Sequence, residues 1–174
     1  GNHLLEDACS LFIASIFFHD EKIYRKASRL LFRELQEQLL SDGAHFEQSP
    51  MYHCILLDRL LDCYNISQCN LIFMGQDRAV ACLREKAELM LGHLENICNK
   101  DGSLPLFNDS AYGIAPTAQQ IKEYAKLLGI EWKPKVLGEC GYRKFENNRM
   151  EAFVDVGNIT ASYQPGHSHA DTFN

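Results

Sequence analysis

Over the first 128 residues the apolar side chains recur every three to four positions; beyond Trp132-Lys133-Pro134 they begin to alternate. A period near 3.6 demands helices and a period of two demands strands, so the chain must be a run of helices that gives way to a β region. Residues 20–40 show the helical pattern most cleanly. Ile23, Ala27, Leu30, Leu31, Leu35 and Leu39 form one stripe, with Lys, Arg and Glu opposite. Residues 3–18 are apolar nearly all round, through Leu4, Leu5, Ala8, Leu11, Phe12, Ile16 and Phe17, which predicts a helix buried on most sides. Ser49-Pro50 opens a third helix, because Ser is a favoured cap and Pro a favoured first helical residue. Ile55, Leu56, Leu60, Leu61 and Tyr64 continue it, and further helices are predicted from Gln76 to Asn99 and from Thr117 to Leu128.

A long helix, a D-G turn and a loop containing Phe occur twice, at Asp42-Gly43 and at Asp101-Gly102. The 59-residue offset suits one helical hairpin, which suggests an internally repeated α/α array. Residues Gly141–Glu146 and Arg149–Val156 read as two strands around a turn at Asn147-Asn148. In the second, Met150, Ala152, Val154 and Val156 share one face and Phe153 lies on the other. The switch predicts a boundary between a helical domain over 1–137 and a β domain over 138–174.

Composition narrows the functional classes. A hydrophobic share of 46% with 23% charged residues is globular, and it argues against disorder. The longest apolar run, from Leu11 to Phe18, falls far short of the roughly 20 residues that span a bilayer. A net charge of −6 is unlike a nucleic-acid surface, yet it permits a locally basic cleft for an anionic sugar. The seven cysteines form no C-x-x-C pair and mostly fall on apolar helical stretches. They read as buried free thiols and lean toward a reducing compartment. The chain opens on Gly1-Asn2-His3 without an initiator Met and stops at Asn174, which reads as a piece of a longer protein.

Three clusters carry polar chemistry. Asn2-His3 stands with Glu6, and His3 and Glu6, three apart, can share a helix face. In Ser49-Pro50-Met51-Tyr52-His53, a cap at Ser49 puts Tyr52 and His53 in the first helical turn. The positive end of the helix dipole there would help a phenol release its proton. Gln164-Pro165-Gly166-His167-Ser168-His169-Ala170-Asp171 presents two imidazoles on one side of an extended segment, as a base or as metal ligands. Each has a plainer reading: Asn2 as a helix cap, Glu6 on a solvated face, Tyr52 as a core or rim aromatic, and the His pair as a hydrogen-bonded loop.

Taken together they resemble the heparinase II/III family of polysaccharide lyases. The phrases Gly1 to Glu6, Asp42 to His53 and Tyr163 to Thr172 occur in that family's order, and Pro105 to Ser110 resembles its cleft loop. The resemblance implies a mainly α fold, a partial (α/α) toroid of helical hairpins followed by the first strands of an antiparallel β-sandwich domain. It implies β-elimination at a uronic acid of an acidic polysaccharide. Carried over by residue, Asn2 with His3 and Glu6 would neutralise the uronate carboxylate, Tyr52 would be the acid, and also the base for one epimer, and His167 the base for the other. His53 would support Tyr52 or contact substrate, Asn108 of the cleft loop would bind substrate, and His169 would ligate a structural zinc whose other ligands lie beyond Asn174. A bacterial periplasm or cell envelope is the implied location.

Two alternatives stand beside this. One is a glycan-binding homologue of the same fold without turnover, although Asn2, Tyr52 and His167 are all present. The other is a zinc hydrolase, because His167-Ser168-His169-Ala170-Asp171 fits the H-x-H-x-D opening of the metallo-β-lactamase motif. That motif continues with His where this chain has Thr172, and it belongs on a layered β fold rather than after 140 mainly helical residues.

Overall fold

The computed structural model describes residues 1–158. Five helices come first: α1 (Asn2–Phe17), α2 (Glu21–Gln38), α3 (Pro50–Cys69), α4 (Gln76–Ile97) and α5 (Ala118–Leu127). Two strands follow, β1 (Tyr142–Glu146) and β2 (Glu151–Asp155). The helices start where local chemistry supplies caps. Asp20 accepts from the Ile23 N–H, Ser49 accepts from the Tyr52 N–H with Pro50 just inside, and Thr117 with Gln120 forms a reciprocal capping box.

α1 packs on α2 and α3 packs on α4, and the two hairpins meet through α1 and α3. This is the expected unit of an α/α array. The shared core is built from Leu5, Phe12, Leu31, Leu57, Leu60, Leu83 and Leu91, all essentially inaccessible. Each such side chain stabilises the fold by about 1.5–3 kcal/mol through burial.

Two details depart from the sequence reading. α1 is not buried all round: Leu5, Ala8, Cys9, Phe12 and Ile16 point inward, while Leu4, Leu11 and Phe17 are exposed. Only the side facing α2 and α3 finds packing partners among the described residues. On α2 the inward face is Tyr24, Ala27, Leu31, Glu34, Leu35 and Gln38, so Ile23 is exposed and two polar residues are buried. Their burial is accounted for by a network. Gln38 Nε2 donates to Glu34 Oε2 (3.0 Å) and to the Gly1 carbonyl (3.1 Å), and Gln38 Oε1 pairs with His45 Nε2 at 2.9 Å. That network holds the start of α1 against the end of α2.

The D-G repeat has a common geometry. Gly43 and Gly102 adopt φ of 87° and 84°, and each preceding Asp accepts through Oδ1 from the N–H two residues on. The strands pair antiparallel with Tyr142 opposite Asp155 and Glu146 opposite Glu151, around an Asn147 turn. The inward face of β2 is the one bearing Phe153, which is 2% exposed, whereas Met150 and Val156 are open to solvent. Phe153 is drawn in because Lys144 covers its ring and pairs with Glu151, while Tyr142, on the same face, packs on Phe107 and His93 of the helical part.

Six of the seven cysteines are buried or partly buried and Cys69 is exposed; all are free thiols. No helix among the described residues is long and apolar enough to cross a membrane.

Candidate active site

Asn2, His3 and Glu6 from the first turns of α1 share one cleft with Tyr52, Ile55, Leu56 and Arg59 of α3. Its volume is about 240 Å³. The α3 contribution follows the spacing 52, 55, 56, 59, which is one helix face, and it meets the 2, 3, 6 face of α1. Asn2 is not a cap. Gly1 occupies the cap position and Asn2 is the first helical residue, its N–H donating to Glu47 Oε1 (3.3 Å) and its own Oδ1 accepting from the His3 N–H (2.8 Å).

Tyr52 is positioned by an unusual joint. Gln48 and Asn108 both adopt left-handed φ values, 56° and 51°. Asn108 Nδ2 donates to the Gln48 carbonyl at 2.7 Å, and the Tyr142 hydroxyl donates to the same oxygen. Ser49 Oγ donates to the Asp109 carbonyl (3.0 Å), and the Met51 N–H donates to Ser110 Oγ (3.3 Å). The 105–110 loop therefore grips the N-terminus of α3 and sets Asp109 beside Tyr52. Burial, the Asp109 and Glu47 carboxylates, and a hydrogen bond to Asp109 together push the Tyr52 phenol above its ordinary value. The shift is opposite in sign to the expectation that the helix dipole would ease its deprotonation: burial, then the two nearby carboxylates, favour the neutral phenol.

Because Asp109 is a cause of that rise, Asp109→Asn should bring the Tyr52 titration down toward the ordinary phenol value near 10. Nuclear magnetic resonance of ring-labelled tyrosine across alkaline pH measures this. A titration unmoved by the substitution would refute the coupling.

Glu6 is raised by burial, with Arg59 opposing the rise, and its Oε1 has no hydrogen-bond partner among the described residues. A buried carboxyl oxygen facing a cleft is suited to meet a hydroxyl or ammonium group of a ligand. Arg59 supplies a cation to the same cleft, although Asp58 and Asp62 also claim it.

His53 and Asn108 do not line this cleft. His53 is buried, its Nε2 pairs with the Met90 carbonyl (3.1 Å) and its ring lies 5.1 Å from His93, so it faces α4 rather than a ligand. Burial and the neighbouring His93 hold it well below the usual imidazole value, hence neutral. Asn108 is likewise buried and serves the Gln48 joint. His167 and His169, and with them the zinc implied at His169, lie outside the described residues. Glu47, Arg59 and Asp109 were not singled out by sequence. Arg59 was accessible to it, standing seven residues after Tyr52 on the same face; Glu47 and Asp109 needed the tertiary joint.

The heparinase II/III N-terminus family model matches residues 1–131, and the heparinase II/III-like C-terminal model matches residues 130–174. The chain belongs to the heparinase II/III family. Solved structures agree in fold. Heparan sulfate lyase HepC from Pedobacter heparinus superposes with a TM-score of 0.71 at 21% identity, covering 99% of this chain and 30% of its own. A second structure, Heparinase III, gives a TM-score of 0.63 at 19% identity, covering 99% of this chain and 32% of its own. This heparinase II/III chain thus spans about a third of the length of the structures it matches, and its helices and paired strands correspond to part of the helical toroid and the start of the β domain. No curated protein sequence matches it.

Proposed function

We propose that this chain carries part of the elimination machinery of a polysaccharide lyase acting on a uronic-acid-containing acidic glycan. The observation that carries the reading is the single cleft shared by Asn2, His3 and Glu6 of α1 with Tyr52 of α3.

In this reading the Asn2 amide, with His3 and Glu6 beside it, hydrogen-bonds the uronate carboxylate and offsets its charge, so the proton on the adjacent carbon becomes acidic. A base removes that proton, and its electron pair forms the new carbon–carbon double bond as the glycosidic carbon–oxygen bond breaks. Tyr52 delivers its proton to the departing oxygen, a role open to a phenol whose neutral form is favoured by burial and by the Asp109 and Glu47 carboxylates. His167 is the base for one epimer, since an imidazole titrating near 6.5 accepts a proton readily at neutral pH. For the other epimer Tyr52 serves as base as well as acid. Arg59 adds a cation to the cleft, which suits an anionic chain. The sulfated glycosaminoglycan class, named for HepC, heads the substrates to try, followed by alginate and bacterial surface polysaccharides.

Elimination creates a conjugated double bond that absorbs in the ultraviolet, whereas hydrolysis creates none. A full-length protein containing this chain should produce that absorbance on at least one uronate glycan. Binding without absorbance across such a panel would favour the non-catalytic homologue, and reducing ends without absorbance would favour hydrolysis.

A further inference from the structure

Away from the cleft, three side chains from distant parts of the chain converge. Asp42 lies in the turn after α2, His93 on α4, and Cys140 in the segment before β1; their ligand atoms all lie within 4.8 Å of one another. All three are buried, at 6%, 1% and 0% exposure. Two further observations bear on the group. His93 Nδ1, like the Nδ1 atoms of buried His45 and His53, has no hydrogen-bond partner among the described residues, which is costly for a buried imidazole nitrogen. Across Gly141, at φ 83°, the Tyr142 N–H turns back and donates to Cys140 Sγ at 3.4 Å, a bond that favours the thiolate.

We propose that Asp42, His93 and Cys140 form a binding site for one zinc-like divalent cation, which pins the helical part to the segment entering β1. One carboxylate oxygen, one imidazole nitrogen and one sulfur make a borderline-soft donor set of the kind zinc selects, and not the all-oxygen set of calcium or magnesium. The carboxylate has room. Its two oxygens offer about four acceptor positions; backbone N–H groups of Ala44 (3.2 Å), Gly138 (3.0 Å) and Cys140 (3.0 Å) take three of them, and the Cys140 thiol, which donates to the same carboxylate, frees its position on losing the proton to bind metal. Those bonds also fix its orientation, as partners behind a metal ligand do.

Charge balance favours occupancy. On binding, the Cys140 thiol loses its proton to solvent and sulfur bonds the metal, so a dication meets one thiolate and one carboxylate and the buried group is neutral overall. None of these residues is His169, the zinc ligand that the family resemblance implies.

Cobalt(II) is the direct probe. The metal-free chain should bind it with a thiolate-to-cobalt absorption band in the near ultraviolet. Cys140→Ser should lose that band, and His169→Ala should keep it. No band in the unsubstituted chain, or a band that survives Cys140→Ser, overturns the proposal. A second measurement needs no folded variant. Cys140 alkylation in mild urea, followed by peptide mapping, proceeds through opening of the fold. Zinc at 100 times its dissociation constant should slow it by about 100-fold. An unchanged alkylation rate at Cys140 overturns the proposal equally.

Discussion

Tyr52→Phe, introduced into a full-length protein containing this chain, is expected to lower kcat for elimination by about 10²- to 10⁴-fold, the usual contribution of a positioned acid–base group. Only the hydroxyl is removed. The ring still packs on the face shared with Leu56, and the cap bond to Ser49 uses the Tyr52 backbone N–H, so α3 keeps its start. KM should change little, because the phenol acts on the departing oxygen in the transition state rather than on bound substrate. The ultraviolet product assay with saturating glycan reads the effect, and circular dichroism checks that the helices remain. A variant that retains most of its turnover would remove Tyr52 from the mechanism.

Gly43→Ala is expected to be among the most destabilising single substitutions in the helical part, by more than about 3 kcal/mol, which is near the upper end for point changes. Two effects combine. At φ 87° an L side chain is strained by roughly 1–2 kcal/mol. An added Cβ would also stand 2.3 Å from the Leu89 carbonyl oxygen and 3.2 Å from His93 Cβ. Leu89 is in the middle of α4, so its backbone cannot step aside without disturbing the core around Met90 and Leu91. Gly102→Ala is the matched comparison. It has the same left-handed turn, φ 84°, but open space around the added carbon, so it should cost only the turn strain of roughly 1–2 kcal/mol. Urea denaturation of the two variants measures the difference. Equal losses would mean that turn strain, and not the close approach of α4, governs the Gly43 position.

That pair shows how far local pattern reaches. The Asp-Gly repeat was visible in sequence because turn chemistry is local: a glycine at positive φ and an aspartate bonding two residues on suffice to produce it. Why one copy is buried against α4 while the other is open depends on which helix packs above each turn. The same holds for Tyr52. Its place in the first turn of α3 followed from Ser49-Pro50, but its raised titration came from burial and then from Asp109, 57 residues later, and so the expectation drawn from the helix dipole had the opposite sign. Helix faces were least legible where no neighbour was known, as at Leu11 and Phe17 of α1 and at Phe153 of β2.

The sequence by itself determined the helical run, its caps, the hairpin repeat, the switch to strands and the family, because periodicity, capping and motif order are carried by residues near one another in the chain. Only the tertiary structure decided which polar groups meet. It joined Asn2, Glu6, Tyr52 and Arg59 in one cleft, turned His53 and Asn108 inward, and gathered Asp42, His93 and Cys140 into a buried cluster. Such meetings depend on how helices distant in sequence pack, and a side chain's own neighbours in the chain carry no record of that packing.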